Sequence, residues 1–160
     1  MSMIWNAAAL TPSELTEISK APDPFKALRA LPEDRWSGLD KAWDAAHWLI
    51  TGGTEAVVGP DGFIKSGGRA VDAIEASYGP GRYFDPKQAS GIRDILLGLT
   101  RGKLASRWDP EAVGEDQLYP FALTGPRDGD LDFVLEHLDE LRDFLAGLDI
   151  KTFGLLVFLD

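Results

Sequence analysis

One stretch constrains the fold more than any other. From Asp130 to Leu145, the residues Leu131, Val134, Leu135, Leu138, Leu141 and Leu145 recur at helical spacing, with Asp132, Glu136, Asp139, Glu140 and Asp143 on the opposite side. A helix with one apolar stripe must bury that stripe against another layer. The chain then ends in Thr152 to Leu159, whose β-branched and aromatic residues read as a buried strand. Residues 3–9 (Met3 to Ala9) read as a second short strand. Two strands at opposite ends of a helical chain most simply pair with each other. The expected class is therefore α+β (α/β-type): helices packed on a small sheet whose N-terminal and C-terminal strands are neighbours.

Punctuation supplies the elements between them. Thr11-Pro12-Ser13-Glu14 has the form of a capping box, so a helix should run to about Lys20. Asp23-Pro24 begins another that ends before Pro32. A third helix is expected from about Leu39 to Thr51, with Ser37 as N-cap and Gly52-Gly53 as the stop. Between Gly52 and Arg82 lie eight glycines and two prolines, a long irregular connection in which Ala70 to Ser77 could form one more short helix. Asp85-Pro86-Lys87-Gln88 is a second capping box and opens a helix through about Leu99. A shorter helix covers Leu104 to Trp108, Asp109-Pro110 restarts the chain, and Gln117 to Leu123 reads as extended around Tyr119-Pro120. At 160 residues the chain fits one domain, 1–160. A chain of this length buries roughly 70% of its unfolded surface, enough for a core without metal or disulfide support.

Charge and composition narrow the chemistry. A net charge of −10 repels phosphate backbones, which makes nucleic acid a poor partner. The absence of cysteine removes disulfides, thiolate zinc sites and cysteine nucleophiles. The start of the chain has no secretory signal pattern, and the longest apolar run, Leu155 to Leu159, is too short to cross a bilayer. Cytoplasmic is the default compartment, with no membrane partner. The charge is uneven: Arg82 to Arg107 is basic and Asp128 to Asp149 strongly acidic. These are either two solvated faces, a rim for an anionic ligand, or complementary halves of a homodimer contact.

No phosphate-binding or hydrolase motif is complete. Ile64 stands where a glycine is required both for a phosphate-binding loop ending in Lys65-Ser66 and for a nucleophile elbow at Ser66. Gly79-Pro80-Gly81 is followed by Phe84 where a dinucleotide loop needs glycine. With only His47 and His137, a multi-histidine metal centre is impossible within one chain. No cofactor and no metal are expected.

One constellation remains. If Leu39 to Thr51 is helical, Asp40, Asp44 and His47 stack on one face, and Trp48 lies opposite the core face beside Lys41. Two carboxylates and an imidazole could hold a divalent cation or perform acid–base chemistry. Alternatively, the acids complement the helix N-terminus, and His47 is half-buried beside a carboxylate. Trp48 is either covered by a second layer or is an aromatic exposed for binding. Trp43 sits on the core side of the same segment. Tyr119 is a candidate hydrogen-bonding residue. Arg69 after Gly67-Gly68, and Arg82 after Gly79-Pro80-Gly81, could clamp an anion or pin a loop.

Several stretches together are similar to a known family. Leu39-Asp40-Lys41-Ala42-Trp43 with His47-Trp48-Leu49-Ile50-Thr51-Gly52 resembles the signature segment of the YfbM-like bacterial family, a domain of unknown function. So do Gly67-Gly68-Arg69, Tyr78-Gly79-Pro80-Gly81-Arg82-Tyr83 with Asp85-Pro86, Leu104 to Pro110, Tyr119-Pro120, and the closing helix and strand, in the same order. The resemblance implies a small α/β-type bacterial domain that stands alone, and brings no established catalytic residue or cofactor. It departs where the family tends to place a Trp shortly after Tyr-Pro, for here Phe121-Ala122-Leu123 follow.

The functional expectation is a noncatalytic binding or protein-interaction domain, of the kind that shields another protein as an immunity partner does. The alternative is a small-ligand binder or enzyme in which Asp40, Asp44, His47, Tyr119 and Arg69 or Arg82 converge in one pocket. Homodimerisation through the basic and acidic segments is the third.

Overall fold

A computed structural model describes residues 2–123 and 125–160. Strand β1 (Trp5–Leu10) leads directly to α1 (Pro12–Ser19), where the Thr11 hydroxyl accepts the Glu14 N–H at 3.0 Å. Only half of the expected box forms, because the Glu14 carboxylate instead pairs with Arg35 at 2.8 Å. Asp23 caps α2 (Pro24–Arg29) in the same way. The second capping box is complete: Asp85 and Gln88 bond reciprocally at the start of α4 (Pro86–Gly98). Short helices α5 (Arg101–Ser106) and α6 (Pro110–Glu115) follow, then the long α7 (Asp130–Ala146) and β5 (Gly154–Leu159).

The terminal strands pair as expected. β1 and β5 run antiparallel in unbroken register from Trp5 opposite Leu159 to Leu10 opposite Gly154. With β2 (Trp36–Asp40), β3 (Arg69–Ala76) and β4 (Gly79–Phe84) they form a wholly antiparallel five-stranded sheet of order β2-β1-β5-β4-β3.

The other three strands correct the sequence reading. Trp36–Asp40 is β2, paired with β1, so Ser37 lies opposite Ala7 in a ladder and caps no helix. The third helix, α3 (Trp43–Thr51), begins only after a turn closed by the Ala42 N–H on the Leu39 carbonyl. Leu39 is buried, but from a strand; its helical spacing to Ala42 and Trp43 is coincidental. The region of Ala70 to Ser77 is also no helix. β3 (Arg69–Ala76) and β4 (Gly79–Phe84) form a hairpin, with an irregularity between Val71 and Glu75. Gln117 to Leu123 is not extended: Tyr119-Pro120 is a cis peptide in a turn, and a 3-10 turn covers Phe121–Leu123.

The sheet separates two apolar clusters. On one face, Ala8, Leu10, Leu156, Phe158 and Tyr83 meet α1 and α2 through Leu15, Ile18 and Leu28. On the other, Trp5, Ala7, Leu155 and Val157 meet α3, α4 and the Val134–Leu145 stripe of α7. Helix α3 belongs to this larger layer, with Ala45 through Ile50 all buried. That all-round burial needs an apolar helix.

The charged segments meet within the chain. Arg101 of α5 reaches Asp139 and Asp132 of α7 at 2.5 and 3.5 Å, and Arg142 joins Asp139 at 2.8 Å. Among the described residues, no helix is long and apolar enough to cross a membrane.

Candidate functional site

The helical layer does not cover the whole sheet. Where β1 begins and β5 ends, β4 parts from β5: their ladder stops at the Arg82–Val157 pair, and beyond it the Tyr78 N–H donates to the Leu159 carbonyl at 3.2 Å while Ser77 bonds the Asp160 carboxylate. Pro80 has no N–H to extend the ladder. The opening is a cleft of about 400 Å³. Trp5, Leu159, Pro80, Tyr78 and Arg82 line it from the sheet, facing Trp43 of α3 and Ala56, Ile64 and Lys65 of the α3–β3 connection.

The wall opposite the sheet is tightly braced. Lys65 Nζ lies 2.6 Å from Asp44 Oδ1 and donates to the Thr54 carbonyl at 2.7 Å. Asp44 Oδ2 accepts the Tyr119 N–H at 2.9 Å, and the Tyr119 hydroxyl accepts the Met3 N–H at 3.0 Å. The Tyr119 ring stacks on Trp43, with centroids 6.0 Å apart at 29°, and Lys65 Nζ sits 5.5 Å from the Trp43 ring centroid. Trp43 Nε1 is buried and has no hydrogen-bond partner among the described residues.

Arg82 pins the α3–β3 connection. It donates to the carbonyls of Phe63, Ile64 and Gly67 at 2.8–3.0 Å. No carboxylate among the described residues lies within ion-pair distance of it. Burial without a counter-charge lowers its pKa to about 10.

A family model described as "Domain of unknown function (DUF1877)" matches residues 1–150. The chain belongs to the DUF1877 family. Among solved structures it is similar to a protein of unknown function, YfbM from Escherichia coli, at 17% identity and a TM-score of 0.68, covering 97% of this chain and 98% of that one. At that identity the likeness speaks for the fold alone. No curated protein matches the sequence.

In this DUF1877 chain the expected Asp40–Asp44–His47 face does not exist. Asp40 ends β2 with φ +48°, and its carboxylate lies 4.0 Å from His137 Nε2 on α7, away from Asp44. Lys41 occupies the turn before α3 and does not line the cleft. His47 is 0% exposed, with Nε2 2.8 Å from the Glu55 carbonyl, which requires the proton on Nε2. Burial is the main cause of its lowered pKa. Trp48 is 8% exposed, not an open aromatic: its Nε1 donates to Asp116 Oδ2 at 2.9 Å, at the end of α6. Arg69 is exposed on the edge strand and does not line the cleft.

The structure thus brings together Trp43, Asp44, Arg82 and Tyr119 from the candidate set. It adds Lys65, which sequence reasoning treated only as part of a failed phosphate-loop motif. A lysine beside a glycine pair, in a long connection facing an acidic first turn, was the available signal. Among the described residues, no group of three or more His, Asp or Glu side chains could hold a metal ion.

Proposed function

We propose that this chain is a noncatalytic binding protein and that its ligand enters the cleft between the parted β4–β5 ends and α3. The observation that carries this reading is the engagement of Asp44. Oδ2 accepts the Tyr119 N–H, and Oδ1, buried without a hydrogen bond, is ion-paired with Lys65, so the carboxylate is committed to the wall that shapes the cleft. His47, the natural base beside it, is enclosed and bound to a backbone carbonyl. An acid–base pair needs a proton-transfer partner within reach of substrate, and these two face the scaffold. A cleft of about 400 Å³ falls within the range of small-molecule sites.

The test is amide chemical-shift mapping of the full chain against a fragment collection of mixed charge, with each fragment's own spectrum followed over time. Fragments that shift the amides of Ala56, Ile64, Lys65, Tyr78 and Arg82 and stay chemically unchanged support the reading. Turnover of any of them, or shifts that never involve these amides, overturns it.

A protein-interaction reading draws on different atoms. Val58, in the connection just past Ala56, is fully exposed, and Tyr78 on the cleft rim is nearly half exposed. A partner covering both would close the cleft. Replacing Val58 with Glu should then abolish capture of that partner while leaving fragment binding intact. Homodimerisation through the charged segments is less well supported, since Arg101 already pairs with Asp132 and Asp139 of α7 within one chain.

A further inference from the structure

Resting on the cleft as the binding site, we propose that its ligand is a small monoanion: a carboxylate joined to a compact apolar body. The polar side chains lining the cleft are Lys65, Arg82 and Tyr78, with the indoles of Trp5, whose N–H is spent on the Ile64 carbonyl, and Trp43, whose buried N–H has no partner among the described residues. Among the described residues, no acidic side chain lines it. Lysine, arginine and indole can only donate, so the lining asks for an acceptor.

The charge count selects one negative charge. Lys65 is neutralised by Asp44 at 2.6 Å, whereas Arg82 is met by three carbonyl dipoles and, 5.6 Å away, the Phe84 ring, with no carboxylate among the described residues. Those carbonyls engage three of the five N–H donors of a guanidinium, and Nε has no acceptor among the described residues. An incoming carboxylate would supply the missing counter-charge in a partly desolvated place, where such a hydrogen bond is strongest. The protein as a whole carries −10, so a more highly charged anion meets a repulsive field that a monoanion feels least. The remaining lining is apolar: Ala56, Ile64, Pro80, Phe158 and Leu159, with the Tyr78 ring on the rim.

The experiment titrates the full chain at low ionic strength and neutral pH with four probes of one shape. These are phenylacetate, its neutral isostere 2-phenylacetamide, phenethylammonium, and doubly charged phenyl phosphate, each followed at the Ala56, Ile64 and Arg82 amides. Phenylacetate should bind about tenfold or more tighter than the amide, the worth of one charge-assisted hydrogen bond. It should also outcompete phenyl phosphate, and the ammonium should give no saturable shift. Arg82→Met should remove that preference. Tyr78→Ala, on the exposed rim, should weaken phenylacetate about threefold without disturbing the loop. If Arg82→Met unfolds the α3–β3 connection, the acid-to-amide ratio in the unaltered chain decides alone.

Equal binding of acid and amide, tighter binding of the ammonium or the phosphate, or no cleft response to phenylacetate overturns the inference. Cleft binding by the amide or ammonium would leave the binding reading standing. Silence from all four probes and from the fragment collection would remove both.

Discussion

Asp44 and Lys65 form a 2.6 Å ion pair with only 13% and 20% of their side chains exposed, and it fastens the first turn of α3 to the connection that walls the cleft. Partly buried pairs of this kind leave an uncompensated charge when one member is removed. Asp44→Ala should therefore destabilise the fold by about 2–4 kcal/mol, since it also strips the Tyr119 N–H of its acceptor. Arg29→Ala, which breaks the Arg29–Asp160 pair where Arg29 is 62% exposed, should cost about 0–1 kcal/mol. Urea unfolding of both variants measures the contrast. Equal losses would mean that the Asp44 pair is no brace.

Trp48 ties α3 to the end of α6 through one hydrogen bond and a buried ring. Trp48→Phe removes the bond to Asp116, which is exposed and can be hydrated, so the loss should be about 1 kcal/mol. Trp48→Ala should lose about 3–5 kcal/mol by opening a cavity. Thermal unfolding that ranks the two variants alike would place the weight on the hydrogen bond.

The buried His47 gives stability a pH dependence whose sign follows from its lowered pKa. The folded state favours the neutral ring, while the unfolded chain takes up a proton below the ordinary value of 6.5. Unfolding free energy should fall as pH drops through 6.5 and keep falling until the folded-state pKa is reached. His47→Gln can still donate to the Glu55 carbonyl and does not titrate. The difference between variant and parent, followed from neutral to mildly acidic pH by chemical denaturation, should shift in the variant's favour; a constant difference contradicts the assignment.

Gly154 begins β5 where Tyr83 crosses the sheet. A Cβ there would clash with the Phe84 carbonyl oxygen and with the Tyr83 hydroxyl, which itself donates to the Leu10 carbonyl. Gly154→Ala should cost about 1–3 kcal/mol or more and loosen the β4–β5 pairing next to the cleft. Gly98→Ala, with nothing within 4 Å, should be neutral or stabilise by up to about 1 kcal/mol. Melting temperatures moving in the same direction for both would refute the packing argument.

Legibility of the sequence followed the locality of the signal. The α7 stripe, the Asp85–Gln88 box and the strand character of both termini are written within a few residues, and each was readable, as was the adjacency of β1 and β5. β2 was not, because Ser37 and Gly38 are weak strand formers and the strand is held by its ladder with β1. The β3–β4 hairpin was hidden by its glycines and by the irregularity between Val71 and Glu75, which breaks the alternation a strand should show. At the site, Trp43, Asp44, Arg82 and Tyr119 could each be singled out by residue type. Their meeting could not, and placing the helix start at Leu39 drew Asp40 into a cluster it never joins. Lys65 was missed for the same reason: its partner lies in a different element.

The most direct measurement is a crystal structure of the chain soaked with phenylacetate. The account predicts the carboxylate within hydrogen-bond distance of the Arg82 guanidinium or the Lys65 ammonium, with the ring against Leu159 and Tyr78. A phenylacetate seated in the glycine-lined groove beside Phe84 and α4, or nowhere on the chain, would contradict it.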